Sequence, residues 1–240
     1  GWFQTLFVSG CGLNLKGVLI DFGQTLAYLD REDDRRFRGE LASVLRRNGC
    51  RRTTYEISHL LDNAYRGTTK GEVKDLHEFW KLLLKSLGIP ERSELIQELA
   101  ELRSRHLATG FKLYGEAVSV LSTLKKKYKL ALVSNCGIGL SDVVRALGLT
   151  DFFQCIVLSY EVGVRKPDRR IYLEALITLE LEPQQCIFVA DEISDLEGAR
   201  EVGLKTLLVR QGEYTTHNAK DPNFKPDYQC NHMSEITMFL

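Results

Sequence analysis

Residues 17–26, GVLIDFGQTL, constrain the fold of this chain more than any other stretch. Val18, Leu19 and Ile20 form a short apolar run, typical of a strand that is buried on both faces of a parallel sheet. Asp21 follows at once, so a carboxylate is expected at the carboxyl end of this strand, where open α/β sheets bind ligands. A strand that merely ends in a turn-forming Asp-x-Gly would give the same local pattern. The rest of the chain must therefore decide between a ligand-binding carboxylate and a structural turn.

The second half of the chain alternates between strand and helix patterns. Buried strands are predicted at 130–133, 156–158, 187–190 and 206–209, and helices at 115–128, 142–147, 169–179 and 194–202. Repeated units of this length predict an α/β fold with a doubly wound parallel sheet. The tail, residues 226–240, is expected to add an edge strand and a last helix.

Two local expectations follow from these helical patterns. In the helix at 115–128 we expect Val118, Leu121 and Leu124 to face the core. In the helix at 194–202 we interpret Gly198-Ala199 as a site of close packing between helix and sheet, without a chemical role. Asp168 is a plausible N-cap for the helix that follows it.

The stretch between these two parts has a different pattern. Residues 29–111 contain four amphipathic helical patterns and no obvious strand, which predicts a compact all-α insert. We therefore expect an N-terminal extension at 1–16, an α/β core formed by 17–28 and 112–240, and a helical module at 29–111. The module would hinge on the core near 27–30 and 109–115.

Composition excludes some classes of function. The 240 residues include 32 basic and 32 acidic side chains, so a nucleic-acid or membrane-surface footprint is not expected. The six cysteines lack metal-site spacing, and Cys155 and Cys186 begin apolar runs, so we expect core thiols and a reducing, cytoplasmic setting. Residues 1–16 lack the basic start of a secretory signal, and no apolar stretch reaches the length of a membrane span.

Polar side chains follow four of the predicted strands at the points where those strands end. They are Asp21, Ser134, Asn135, Lys166, Asp191 and Asp195. Because the carboxyl ends of parallel strands share one edge of the sheet, these residues should meet in one crevice. Three carboxylates and one ammonium repel on balance unless a cation joins them, and hard oxygen ligands favour Mg²⁺. A hydroxyl, backbone N–H groups and a lysine would then suit a phosphoryl group.

These motifs resemble those of the haloacid dehalogenase-like hydrolase superfamily. The chain has DFGQT at 21–25, SN at 134–135, KPD at 166–168 and ADEISD at 190–195, in that family's order. The resemblance covers roughly residues 17–235, and the helical insert stands where that family has its C1-type cap. It implies a Rossmann-like core with an inserted four-helix cap, and a Mg²⁺-dependent phosphatase acting on a small phosphorylated metabolite.

The resemblance also implies a role for each matching residue. Asp21 would be the nucleophile that forms an aspartyl-phosphate. Mg²⁺ would be held by Asp21, the backbone carbonyl of Gly23 and Asp191, with Asp195 supporting it through water. The set implied to hold the phosphoryl group is Ser134, Asn135 and Lys166, with Lys166 also stabilising charge at transfer. The substrate is expected to be a small molecule, and the oligomeric state is left open.

One departure from the family pattern keeps several interpretations open. Family phosphatases have a general acid/base Asp two residues after the nucleophile, and this chain has Gly23 there; the usual following Gly is Gln24. A positioned acid/base contributes roughly 10²–10⁴-fold in rate. A phosphatase could use another proton donor, such as Glu192 or a cap residue, or act on a substrate with an easily expelled leaving group.

Two further interpretations remain at this point. The chain could be a phosphonate-cleaving hydrolase, whose family members use a cap lysine; Lys70 and Lys74 are available. It could also be a catalytically weak member that binds a phosphorylated ligand or a protein partner. Dehalogenase members typically lack the acidic fourth motif, so Asp191 and Asp195 argue against that branch.

Overall fold

A computed structural model describes residues 14–68, 73, 75–211 and 221–240. In these ranges the strands are β1 Gly17–Ile20, β2 Ala27–Leu29, β3 Phe111–Leu113, β4 Lys129–Ser134, β5 Cys155–Leu158, β6 Cys186–Ala190, β7 Lys205–Val209 and β8 Tyr228–Cys230. The helices are α1 Arg31–Arg47, α2 Thr54–Thr68, α3 Leu76–Leu87, α4 Ser93–Gly110, α5 Ala117–Leu124, α6 Leu140–Ala146, α7 Ser159–Val162, α8 Arg169–Leu179, α9 Ile193–Val202 and α10 Ile236–Phe239.

Six of the described strands form one parallel sheet, in the order β5-β4-β1-β6-β7-β8. The doubly wound α/β fold predicted from the sequence is confirmed, and β8 and α10 confirm the expected edge strand and last helix. β1 lies between β4 and β6, with Leu19 opposite Ala131 and Phe188. Asp21 therefore leaves the sheet at its centre.

The core lies on both faces of this sheet because side chains alternate along each strand. Val18 and Ile20 face a layer that includes α5, α6 and α10. Leu19 faces the opposite layer, which includes α8 and α9. All three side chains are fully buried, as the apolar run in β1 predicted.

Helices α1 to α4 share an apolar core separate from the two layers of the sheet. Their starts are capped in the usual way: the Asp30 carboxylate accepts from the backbone N–H groups at the start of α1. Thr53 and Glu56 form a reciprocal capping box at the start of α2. Gly88 ends α3 in the left-handed conformation that a helix C-terminus favours.

A short ribbon at the base of these helices was not predicted from the sequence. β2 and β3 pair antiparallel, Ala27 opposite Leu113, across the boundaries that we expected at 28/29 and 111/112. Three-residue strands are too short for alternation to be visible in a sequence. The ribbon connects the helical module to the sheet through hydrogen-bonded backbone.

The expected burial of Val118 was wrong. Its side chain is 46% exposed, whereas the buried residues of α5 are Ala117, Val120, Leu121 and Leu124. That set follows the i, i+3, i+4, i+7 spacing of a single helix face, and Val118 lies on its flank. The helix is also shorter than the predicted 115–128.

The cysteines at 50, 136, 155, 186 and 230 are all free thiols. Cys186 is buried in the core, as expected, whereas Cys155 is only half-buried. Cys11 lies outside the described residues, as does most of the expected extension at 1–16. None of the described helices combines the length and the apolar character that a membrane crossing needs.

Candidate active site

The sheet order brings the predicted site residues together at one edge. Asp21 follows β1, Ser134 ends β4 and Asp191 follows β6, and these three strands are direct neighbours. All three side chains are buried. The crevice predicted from parallel strand ends is therefore present, with two carboxylates and a hydroxyl at its floor.

Lys166 reaches this crevice from the loop after α7. Its ammonium nitrogen lies 2.7 Å from Asp21 Oδ1 and 2.9 Å from Asp195 Oδ2, and it packs over the ring of Phe188. Burial disfavours the charged form, but the carboxylates of Asp195 and Asp21 outweigh it and raise the pKa of Lys166 above its ordinary value. Lys166 is thus a buried cation that bridges two carboxylates, not a surface lysine.

Asn135 holds the backbone of Lys166 in place. Its Nδ2 donates to the carbonyl oxygen of Lys166 at 3.0 Å, and its Oδ1 accepts from the backbone N–H of Lys166 at 2.7 Å. Both ends of the amide are therefore used within the protein. We had expected Asn135 among the substrate-binding residues, and this geometry favours a positioning role instead.

Gly198 supports the same loop from the other side. A β-carbon built on Gly198 would lie 2.3 Å from the carbonyl oxygen of Pro167, the residue after Lys166. Close helix–sheet packing was expected at Gly198-Ala199. Ala199 is buried in the layer between α9 and the sheet, as expected, whereas Gly198 packs on the loop that carries Lys166. Spacing along a helix identifies a small residue but not what lies against it.

The oxygens of Asp21 are not equivalent. Oδ1 accepts from the backbone N–H of Phe22 at 2.7 Å and also faces Lys166. Oδ2 receives neither contact, which leaves it as the oxygen available to attack a substrate. Burial raises the pKa of the Asp21 carboxyl, and the ammonium of Lys166 opposes that shift.

Asp191 lies beside Asp21, and among the described residues no lysine or arginine forms an ion pair with it. Burial and then the charge of Asp21 raise the pKa of Asp191 to about 7. The Thr25 hydroxyl lies 3.4 Å from Asp191 Oδ1, a long contact that satisfies little of its charge. Asp21, Asp191 and Asp195 carry three negative charges against the single positive charge of Lys166, so this donor set suits a hard divalent cation.

The described residues contain no cluster of three or more His, Cys, Asp or Glu side chains close enough to share a metal ion. Two carboxylates and a backbone carbonyl are nevertheless sufficient for Mg²⁺, which usually keeps several waters. The Asp195 carboxylate is ion-paired with Lys166. The Tyr172 hydroxyl donates to the backbone carbonyl oxygen of Asp195 at 2.6 Å. The residues present therefore fit Mg²⁺ between Asp21 and Asp191.

The turn after Asp21 departs from the family pattern at two positions, Gly23 and Gln24. Gly23 has no left-handed φ, and a β-carbon built there meets no atom of the described residues within 4 Å. Gln24 carries the positive φ instead, at 56°, and its Oε1 accepts from the Tyr114 hydroxyl at 3.1 Å. The turn thus does not require glycine at position 23.

Two cavities meet at this edge of the sheet. The larger, about 570 Å³, contains Asp21, Asp191, Asp195 and Lys166. The smaller, about 160 Å³, lies towards the helical module and reaches Ser134 and Arg103. Gly23 and Asn135 border both. The first suits a phosphoryl group and the second the rest of a small substrate.

Sequence reasoning missed three residues that shape the site. Thr25 was quoted within a motif and given no role, although it is fully buried beside Asp191. Tyr172 gave no signal beyond its apolar helix face. Arg103 is one of many charged residues in a helix, and periodicity does not say which of them reaches the core. Lys70 and Lys74 lie outside the described residues.

Comparison with known proteins places the chain in a family. Residues 59–209, more than half of the chain, match the family model for haloacid dehalogenase-like hydrolase. The parallel α/β core, with a polar crevice where its strands end, is therefore the core of a hydrolase of this class. The chain belongs to the haloacid dehalogenase-like hydrolase family. The matched region contains Ser134, Lys166 and Asp191 but begins after Asp21.

Individual relatives are distant. The glyceraldehyde 3-phosphate phosphatase of Methanopyrus kandleri is 27% identical over 158 residues, which are 65% of this chain and 68% of that protein. The phosphoserine phosphatase of Thermus thermophilus is 31% identical over 164 residues, 66% of this chain and 61% of that protein. The chain thus spans about two thirds of the length of these curated relatives.

Among solved structures, the 2-haloacid dehalogenase of Pseudomonas syringae pv. Tomato superposes with a TM-score of 0.72. The superposition covers 93% of this chain and 97% of that chain at 24% identity. At this identity the likeness establishes the shared fold alone, so the chemistry must come from the site.

Proposed function

We propose that this protein is a Mg²⁺-dependent phosphomonoesterase that uses Asp21 as its nucleophile. The observation that carries the proposal is the buried Asp21 carboxylate, with Oδ1 held by Phe22 and Lys166 and with Asp191 beside it. A nucleophile, a fixed cation and a site for a divalent metal are the parts that phosphoryl transfer needs. The two curated phosphatases among its relatives support the same class of reaction.

In the first step Asp21 Oδ2 would attack phosphorus while the bond from phosphorus to the ester oxygen breaks. The product is an aspartyl-phosphate and a free alcohol whose oxygen has gained a proton. In the second step water attacks phosphorus and the bond from phosphorus to Asp21 Oδ2 breaks. The water loses a proton to solvent, inorganic phosphate leaves, and the Asp21 carboxylate is restored. Lys166 would stabilise the charge on the phosphoryl oxygens, and Ser134 at the end of β4 would donate a hydrogen bond to them.

The metal would be held by the carboxylates of Asp21 and Asp191 and the backbone carbonyl of Gly23. When bound, Mg²⁺ supplies positive charge that offsets both carboxylates and the phosphoryl group. We assign Asp195 to positioning Lys166, because its carboxylate faces that ammonium. Asn135 and Gly198 fix the backbone on which Lys166 stands.

Proton delivery to the leaving group is the element that Gly23 does not provide. Two acidic side chains of the larger cavity have no role in the steps above, Asp168 and Glu192. Asp168 caps α8 and is ion-paired with Arg170, which leaves Glu192 as the candidate. We therefore propose that either Glu192 or water protonates the departing oxygen, at lower efficiency than a carboxylic acid at position 23. Esters with acidic leaving groups should be the better substrates.

The site favours phosphoryl transfer over dehalogenation because of Asp191. A second buried carboxylate next to the nucleophile raises the cost of its charge unless a cation is present. The free thiols at the five described cysteine positions support a reducing compartment, so we propose a cytoplasmic location.

A panel of alkyl phosphates, aryl phosphates and phosphonates, assayed with and without Mg²⁺, tests the function. We expect hydrolysis of phosphate esters that requires Mg²⁺ and is lost in Asp21→Asn. A wild-type protein that cleaves none of them would refute the proposal. Cleavage of phosphonates alone would point to the lysine-dependent chemistry instead.

A further inference from the structure

Arg103 of α4 places a guanidinium next to the catalytic crevice. Its side chain lines the smaller cavity together with Gly23 and Ser134. The guanidinium carbon lies 4.7 Å from the centre of the Tyr65 ring and 5.6 Å from that of the Phe37 ring. Stacking on aromatic faces stabilises a guanidinium and fixes its plane without using its N–H groups.

The hydrogen-bonding groups around this side chain are not satisfied. Arg103 Nε and the Tyr65 hydroxyl are both shielded from solvent and lack a hydrogen-bond partner among the described residues. Buried donors in native proteins are nearly always paired, so an orphaned one calls for an absent ligand or water. Burial lowers the pKa of Arg103, but a guanidinium remains charged in proteins.

The nearby carboxylates are engaged elsewhere. Arg38, the neighbouring guanidinium, lies 2.8 Å from Asp34 and 2.9 Å from Asp62 and uses both. Within the described ranges, no carboxylate lies within ion-pair distance of Arg103. Arg103 is therefore a half-buried positive charge that forms no ion pair with the described residues.

The other residues of the cavity wall indicate the polarity and size of the group that the cavity would hold. Its apolar lining residues are Phe22, Leu107, Phe111, Ile138 and Leu140. Burial raises the pKa of the Cys136 thiol in the same wall to about 12, so it adds no charge. The volume of about 160 Å³, against about 570 Å³ for the larger cavity, suits a leaving group of a few carbons.

We propose that Arg103 determines specificity by binding a carboxylate on the leaving group of the substrate. The substrate class would then be the phosphate monoesters of small hydroxy acids. The planar guanidinium matches a carboxylate in a two-bond geometry that few other groups offer. The phosphoryl group would lie at Asp21 and the carboxylate at Arg103, so this inference rests on the proposed phosphatase function.

Paired substrates test it: 3-phosphoglycerate and glycerol 3-phosphate share a carbon skeleton and differ by a carboxylate in place of a hydroxymethyl group. We expect wild-type kcat/KM to be about 100-fold higher for the acid, because a site built around a charged group rejects an analogue lacking it. Arg103→Met should bring the two values to within about 3-fold by lowering that for the acid alone.

The matched control is Arg105→Met, on the same helix. The Arg105 side chain is 66% exposed and faces Glu40 at 3.9 Å, away from the cavity. This variant should keep the wild-type preference. Arg103→Lys, which keeps the charge and loses the planar fork, should show an intermediate loss and serves if Arg103→Met does not fold. Circular dichroism melts report folding for each variant.

A binding assay separates the two proposals. Calorimetric titration of Asp21→Asn with both compounds measures recognition without turnover, and 3-phosphoglycerate should bind more tightly only where Arg103 is present.

If wild type hydrolyses p-nitrophenyl phosphate but shows no preference for the acid, the role of Arg103 is refuted and the phosphatase stands. If no ester is cleaved but the binding preference is found, the phosphatase proposal fails and Arg103 remains an anion-binding residue. Equal loss for both substrates in Arg103→Met would also overturn the inference.

Discussion

Gly198 of α9 lies directly against Pro167, and a β-carbon at Gly198 would come within 2.3 Å of the Pro167 carbonyl oxygen. Pro167 follows Lys166, the cation that faces Asp21 at 2.7 Å. A change in the interior of a helix can therefore reach the catalytic edge through one loop.

Gly198→Ala should destabilise the protein and reduce turnover together. Overpacking of this kind costs typically 1–3 kcal/mol, and displacement of Lys166 should lower kcat by about 10-fold or more. Gly39→Ala, in the middle of α1 with no described atom within 4 Å of the added carbon, is the control. It should stabilise by about 0.5–1 kcal/mol and leave kcat unchanged. Denaturant unfolding and steady-state kinetics measure both; similar behaviour of the two variants would contradict the packing argument.

Gly23→Asp should restore the missing acid/base. Position 23 has open space and an ordinary φ, so the new side chain can be accommodated without strain. The gain in kcat/KM should approach the roughly 10²–10⁴-fold that a positioned acid contributes for alkyl phosphates, and should be small for aryl phosphates. Aryl oxygens depart without a proton, which is the reason for the difference.

Gly23→Ala is the control for this substitution, since it adds the β-carbon without the carboxyl group. It should show no gain on either ester. An equal change for alkyl and aryl phosphates in Gly23→Asp would mean that position 23 does not supply the proton.

Asp191→Asn should affect stability in opposite directions with and without metal. In metal-free protein at pH 8, above the pKa of about 7 of Asp191, it removes a buried charge beside Asp21, so the melting temperature should rise, by the equivalent of about 1 kcal/mol. Mg²⁺ should stabilise wild type and raise the variant's melting temperature far less, because one of two carboxylate ligands is gone. Thermal melts across a Mg²⁺ titration test this, and an identical Mg²⁺ response in both proteins would remove Asp191 from the metal site.

His106 should make the stability of the helical module depend on pH. Burial, and then the charge of Arg103, lower the pKa of His106 to about 4, against about 6.5 in an unfolded chain. The unfolded state therefore binds the proton first, and the free energy of unfolding should fall as pH drops from about 6.5 towards 4. Its ring stacks on that of Phe37, with the ring centroids 4.4 Å apart, and Phe37 belongs to the apolar core of the helical module.

Denaturant unfolding at pH 7 and pH 5 measures the effect of His106. Wild type should lose about 1–2 kcal/mol more than His106→Gln over that interval, since each pKa unit corresponds to about 1.4 kcal/mol and part of the shift is screened. An equal loss in both proteins would show that His106 does not titrate in this way.

The residues that the sequence analysis expected to meet in one crevice, and that the structure brings to one edge, share one property. Asp21, Ser134 and Asp191 each end or follow a buried strand, and parallel pairing alone brings such ends to one edge. Local patterns therefore placed them side by side without any knowledge of tertiary packing.

The contacts that the sequence analysis did not predict are contacts between separate elements. Arg103 reaches the crevice only because of the way α4 packs against α6 and against the other helices of the module, and Gly198 meets a loop rather than a strand. Asn135 binds the backbone of Lys166, 31 residues away. None of these partners leaves a trace in spacing or composition, because each arises from the orientation of a whole helix or loop.

Mass spectrometry of Asp21 during turnover tests the central claim most directly. Protein mixed with a phosphate ester and Mg²⁺ and then quenched in acid should yield a peptide around Asp21 that is heavier by one phosphoryl group. Borohydride treatment should convert the modified residue to homoserine, and Asp21→Asn should show neither the mass increase nor turnover. Steady hydrolysis by wild type without a phosphoryl group on Asp21, or hydrolysis retained by Asp21→Asn, would contradict the assignment of Asp21 as the nucleophile.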